Sequence, residues 1–144
     1  SFAINWDTTS FKDGEVLLQQ LGSMRVLGER RLATAGKDIS NPGMLGTLGM
    51  LLESSRAGAV VHLDLLPKPQ GMEMLAWQRM YPGMGFVVTA PQEKAEEVTR
   101  VFRDRGLTAA VVGEVTKERR LVIESRGERA VLFDFDRENI TGIR

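Results

Sequence analysis

Apolar residues recur along this chain with two different periods, and the changes of period divide it into elements. Across residues 36–53, GKDISNPGMLGTLGMLLE, the positions Met44, Leu45, Leu48, Leu51 and Leu52 return every three or four residues, the spacing of one buried helix face. The opposite face carries Pro42, Gly46, Gly49 and Glu53. An interior helical glycine costs about 1 kcal/mol relative to alanine, so two of them predict that a ligand, a partner domain or another helix comes close to that face. Asn41 is placed to cap the helix and Pro42 to take its first position. The N–H groups of Gly43, Met44 and Leu45 then point out of the helix start, which suits a phosphate or other anion. A tightly packed helix pair with a good cap would use the same residues.

The flanking chain reads as scaffolding for this stretch. Over residues 13–32, Leu17, Leu18, Leu21, Met24 and Leu32 form a helical stripe with Gly28 on the same side. Gly58 stands where it would stop the central helix. Residues 59–66 alternate, with Ala59, Val61, Leu63 and Leu65 on one face and Val60, His62 and Asp64 on the other, so a strand is predicted, ended by Pro67. A short helix over 72–80, a turn at YPGMG and a strand over 86–90 follow. The next helix opens at Pro91, with Glu93, Glu96 and Glu97 early, Arg100, Arg103 and Arg105 late, and Gly106 as its stop. Strands are expected over 107–115, 120–124 and 129–135. Helices mixed with strands and a meander-like end predict an α+β fold, with helices packed on a mixed β-sheet built from 59–66, 86–90, 107–115 and a late hairpin.

A chain of 144 residues makes one domain with a real core, here residues 13–144. The 19 basic and 19 acidic side chains cancel, so bulk charge gives no support for a nucleic-acid surface. The absence of cysteine removes disulfides, thiolate catalysis and cysteine-ligated metals, and agrees with a cytoplasmic setting. No apolar run reaches membrane-spanning length, so no membrane partner is expected. Residues 1–12 begin without Met and read as a linker or extended segment entering a domain, as in a piece of a longer protein.

Candidate chemistry is sparse. The motifs GxxxxGK(S/T), HExxH and GxSxG are absent, and His62 is the single histidine, expected half-exposed on its strand rather than a ligand. No metal ligand set and no catalytic residue is assigned. Lys37 offers a cation to an anion at the helix start, and Asp38 serves there either as a loop-holder or as a ligand contact. Trp77, Tyr81 and Phe86 around the glycine turn are read as closing one end of a core or lining a cleft. Residues 118–120 are read as a solvated hairpin turn, in which Arg119 has no assigned role.

The run Asp38, Ser40, Gly43, Leu45, Gly46 resembles the D-x-S/T-x-x-G-x-L-G signature in the C-terminal domain of the AIR synthase superfamily. That group includes aminoimidazole ribonucleotide synthetase, selenophosphate synthetase, thiamine monophosphate kinase and the hydrogenase-maturation dehydratase. GAVVHLDLLPKP, GFVVTAPQEKAEEV and AAVVGEV are similar, in order, to later family segments, so the resemblance spans nearly the whole chain. Together with WQRMYPGMGFVVTAP, the central stretch looks closest to the AIR synthase-related branch called methanogenesis marker protein 2. Where the purine-pathway enzyme has a Thr-Gly-Gly-Gly type of loop, Ser40, Asn41, Pro42 and Gly43 stand here, so no specific substrate carries over.

The resemblance implies the C-terminal, substrate-side domain of an ATP-dependent enzyme that activates a small-molecule acceptor by phosphoryl transfer. It implies ATP and Mg²⁺ for the full-length protein, bound mostly by an N-terminal domain outside this chain, and a homodimer. The expected substrate or phosphate contacts are Lys37, Asp38, Ser40, Asn41, Gly43, Met44, Gly46 and Thr47. The alternative is a non-catalytic ligand-binding module, or a dimerisation module using the Gly46 and Gly49 face, that retains the fold.

Overall fold

A computed structural model describes residues 13–79 and 84–142. In chain order the elements are α1 (Gly14–Glu29), β1 (Ala35–Asp38), α2 (Gly43–Ser55), β2 (Gly58–His62), α3 (Met74–Arg79), β3 (Phe86–Thr89), α4 (Ala95–Arg103), β4 (Gly113–Thr116), β5 (Arg120–Ser125) and β6 (Glu128–Asp134), with short 3-10 turns at Leu63–Leu65 and Gln92–Lys94. The expected α+β class holds, but the strands divide into two sheets rather than one. β1 and β3 pair antiparallel as a two-stranded ribbon, and the other four run in the order β4-β2-β5-β6. The larger sheet is mixed because β2 is parallel to β5 and antiparallel to β4.

Two hydrophobic cores result. One holds Leu52, Ala59, Val61, Leu66, Leu121 and Phe135, with Met44, Leu45 and Leu48 of α2 packed on it. The other joins Leu27 and Leu32 to Val98, Val101 and Phe102 of α4, with Phe86 and Val88 of the ribbon against them. Burying one such side chain contributes about 1.5–3 kcal/mol. α2 lies beside both sheets, since it touches β1, β3, β2 and α3.

Several expectations are corrected, each for a local reason. β1 was not expected; its ladder runs from Ala35 opposite Thr89 to Asp38 opposite Phe86. Four residues containing glycine and two charges carry too little apolar alternation to announce a strand. In α1 the buried positions are Gln20, Ser23 and Leu27, while Leu18 is 71% and Leu21 44% exposed. The helix turns its small and polar residues to the end of α4, where Gln20 Nε2 donates to the Arg105 carbonyl (3.2 Å). The strand expected over 59–66 ends at His62, because the chain closes a 3-10 turn there; Ala59 and Val61 are buried as expected, whereas Leu65 is exposed. Of the strand expected over 107–115, only Gly113–Thr116 pairs.

Glycine punctuation is also reassigned. α2 is stopped by Arg56 in the left-handed conformation (φ 51°), not by Gly58. Gly58 lies inside β2, opposite Thr116. Residues 117–119 are not a hairpin turn, because β4 and β5 flank β2 on opposite sides and their connection passes over the start of β2. Arg119 there has a structural part: its carbonyl accepts the Phe135 N–H, and its guanidinium donates to Asp136 (3.0 Å). The true hairpin joins β5 to β6 through Arg126 and Gly127, both at positive φ, as a two-residue turn matched to strand twist requires.

Candidate functional site

The start of α2 is built differently from the simple cap expected. Pro42, not Asn41, occupies the N-cap position, and no side chain caps the helix. The Gly43 N–H is spent on the Ser40 carbonyl (2.8 Å), closing a turn over 40–43. Gly43 then takes φ +70°, and a Cβ placed on it would meet the Gln78 carbonyl oxygen at 1.9 Å. Its smallness therefore serves the seating of α3 against α2. One residue further on, the Ser40 N–H donates to the Thr47 hydroxyl (3.1 Å), so a fully buried Thr47 ties the loop to the second turn of the helix.

The eight candidate residues thus fall into three groups. Gly43, Gly46 and Thr47 are buried, and the contacts they make are internal. A Cβ on Gly46 would meet only Pro42 of the same turn. Ser40 and Met44 are half-buried and Asn41 exposed, and these still flank the uncapped helix start. Lys37 and Asp38 lie on β1, with Lys37 Nζ 3.7 Å from Asp38 Oδ1, and both line a cleft of about 590 Å³. The floor of that cleft comes from Met50, Leu51 and Ser54 of α2, and its sides from Met24 of α1, Phe86 and Thr141. The structure does not bring the helix-start residues into this cleft.

The glycine face of α2 does receive a neighbour, and the neighbour is the chain itself. A Cβ on Gly49 would meet Ile140 Cδ1 at 2.7 Å and the Phe133 ring at 3.3 Å. At Gly49 the face is therefore covered by the chain itself. One turn on, the buried Glu53 accepts the N–H groups of Ile140 and Thr141 (both 2.9 Å) and the Thr141 hydroxyl. Sequence reasoning missed this carboxylate; its position at the end of a helical row with Gly46 and Gly49 was the only signal.

Thr141's hydroxyl holds the Glu53 carboxyl below its ordinary value, helped by the N–H groups of Thr141 and Ile140 and by the charge of Arg119, against an opposing desolvation. The folded pKa lies below the unfolded one, so the contribution is whole above about 4.5 and is lost as pH falls through the lower folded value. Following the Ile140 and Thr141 amide resonances in an acid titration should give a midpoint below 4.5. A midpoint at or above that value would contradict the three-donor grip.

Other expected groupings come apart. Trp77 Nε1 on α3 donates to the Pro67 carbonyl (2.9 Å), while Phe86 stacks on Phe102 in the other core (6.2 Å between centroids). Tyr81 and Gly83 lie outside the described residues. His62 is half-exposed, as expected, with Nδ1 3.9 Å from Glu124. Asp64 holds the β5–β6 turn by accepting the Arg126 N–H (3.0 Å) and the Ser125 hydroxyl (2.9 Å), and these bonds, the former foremost, lower its pKa. Among the described residues no three His, Asp or Glu side chains gather as a metal site, and no helix is long and apolar enough to cross a membrane.

A mixed four-stranded sheet, a two-stranded ribbon and a glycine-rich helix that touches both define an α+β domain with an open cleft along that helix. The chain belongs to the family described as AIR synthase related protein, C-terminal domain, which matches residues 4–126. An uncharacterized protein of Methanocaldococcus jannaschii is 44% identical over 142 residues, covering 99% of this chain and 44% of its own length. An uncharacterized protein of Synechocystis is 29% identical over 137 residues, covering 95% and 42%. The chain thus spans less than half the length of the curated relatives it matches. Among solved structures, PurL of Thermotoga maritima complexed with ATP superposes with TM-score 0.75 at 22% identity, over 94% of this chain and 24% of that one. HypE in its complex with HypF superposes with TM-score 0.67 at 18% identity, over 82% and 41%. At these identities the likeness is one of fold.

Proposed function

We propose that this chain is the C-terminal, substrate-side domain of an ATP-dependent, AIR synthase-like enzyme that activates a small-molecule acceptor by phosphoryl transfer. The observation that carries the reading is the family match across residues 4–126, which contains the uncapped start of α2 and every residue lining the cleft beside it except Thr141. A structural neighbour solved with ATP supports the nucleotide. ATP, when bound, supplies the phosphoryl group; this chain's part is to hold an anion and to shield the acceptor.

The anion site is the solvent side of the α2 start. There the N–H groups of Met44 and Leu45 face outward without a side-chain cap, the helix dipole favours negative charge, and Ser40 and Asn41 add polar contacts. Lys37 and Asp38 supply opposite charges at the rim of the cleft, where an acceptor would lie. In this reading Mg²⁺ is bound mostly by the N-terminal domain outside this chain, and the full-length protein is a homodimer. Within the family, the reading keeps the methanogenesis marker branch that the central stretch resembles. A cytoplasmic setting agrees with this chemistry.

Asn41→Asp is the direct test, since it adds a negative charge to an exposed side chain of the same shape. Repulsion at the helix start should weaken inorganic phosphate or Mg·ATP binding about tenfold, while folding stability stays the same or rises slightly. Titration calorimetry on the longest expressed form of the protein, with amide shifts at Asn41, Met44 and Leu45, reads both quantities. Unchanged affinity in the variant, with shifts clustered elsewhere, would place the anion at another site.

A further inference from the structure

Glu53 is a buried carboxylate that the phosphoryl-transfer reading does not use, yet it holds a part of the chain that lines the cleft. Residues 140–141 return from the end of β6 across the glycine face of α2, with Ile140 against Gly49 and both backbone N–H groups on the Glu53 carboxylate. Thr141, the second residue of this segment, lines the same cleft as Met50, Lys37 and Asp38. The segment belongs to no helix or strand, and the Glu53 hydrogen bonds and the Ile140 contact hold it against α2.

We infer that Glu53 is a positioning residue: it seats residues 140–141 as one wall of the cleft and through them controls access to Lys37 and Asp38. The inference takes the importance of Lys37 and Asp38 from the proposed function, but the wall itself is a matter of geometry. A glutamine at position 53 keeps the volume and one acceptor oxygen. Its amide nitrogen replaces the other oxygen, so whichever way it turns, one of the two backbone N–H groups faces a donor. A valine at position 141 keeps the shape of Thr141 and leaves Glu53 intact, but removes the hydroxyl donor.

The chain has no cysteine, so Met50→Cys places a unique reporter thiol in the cleft next to Thr141. In that background Glu53→Gln should raise the rate of maleimide labelling about tenfold, with a parallel rise in amide exchange at Ile140 and Thr141. Thr141→Val should move both readouts in the same direction by less, and Glu93→Gln, at an exposed site remote from the cleft lining, should move neither. Faster exchange at 140–141 with unchanged labelling would overturn the inference, because the segment would then be loose without being a wall. Unchanged exchange in both variants would overturn it too, because Glu53 would not be what seats the segment. Mg·ATP titration of Lys37→Ala tests the proposed function separately, and a null result there leaves the labelling outcome standing.

Discussion

Replacing Gly58 by alanine is expected to destabilise the fold more than any other single change considered for this chain. The methyl carbon would lie 1.7 Å from the Glu118 carbonyl oxygen and 2.5 and 2.7 Å from the carbonyl oxygen and nitrogen of Arg120. All three are backbone atoms, one in the connection that crosses the start of β2 and two in the first residue of β5. That connection cannot retreat without breaking the parallel ladder between β2 and β5, whose first pair is Ala59 with Leu121. Leu121 is fully buried, so displacing β5 also opens the larger core. The cost should exceed about 4 kcal/mol, a large share of the 5–15 kcal/mol that stabilises a typical domain. Gly22→Ala is the control: nothing lies within 4 Å of the added carbon, and the change should stabilise α1 by about 0.5–1 kcal/mol. Urea denaturation followed by circular dichroism compares the two. A cooperative transition for the Gly58 variant within about 1 kcal/mol of the parent would show that the connection yields and that the crossing is not tight.

Gly43→Ala should be the next most damaging change, and it separates two readings of the same residue. If the glycine only clears space for an anion, an added methyl group leaves stability alone and weakens phosphate binding. The geometry opposes this, because φ is +70° and the new carbon would meet the Gln78 carbonyl oxygen at 1.9 Å. Left-handed backbone costs an L-residue about 1–2 kcal/mol, and relief of the clash requires α3 to move off α2. A total loss of about 2–4 kcal/mol is expected in the absence of any ligand. Trp77 reports on the same event through its bond to the Pro67 carbonyl, so its fluorescence should shift to a wetter environment. A variant with parental stability and selectively weaker phosphate binding would restore the anion reading of Gly43.

Much of the architecture was legible before any coordinates. The 3.6-residue period found α1 and α2, alternation found β2, and turn residues between strand-forming runs found β3, β5 and β6, because burial and turn chemistry are both written in residue type. Acidic and basic residues at the two ends of α4, with Gly106 beyond (φ +72°), gave its direction and stop. Legibility failed where an element is held by backbone alone. β1 is defined by its ladder to β3, and two of its four side chains are exposed, so no pattern marks it. In α1 the register was misread because Ser23 and Gln20, rather than Leu18 and Leu21, face inward. A leucine exposed on a helix looks the same in sequence as a leucine buried there.

The candidate site was legible in part, and the division follows the same physics. The central stretch was found because two glycines inside an apolar helix and a polar turn before it are costly unless something uses them, and that inference needs only local energetics. What uses them is decided by parts of the chain distant in sequence: the Gln78 carbonyl against Gly43, and Ile140 and Phe133 against Gly49. The sequence by itself thus determined the class of fold, the helix that organises it and the candidate residues from Lys37 to Thr47. Only the tertiary structure decided that Gly43, Gly46 and Thr47 are internal, that Lys37 and Asp38 face a separate cleft, and that Glu53 holds part of its wall. The reason is that a residue's type fixes what it can do at close range, whereas the neighbours of a small residue or a buried carboxylate are set by strand order and by the return of the chain after β6.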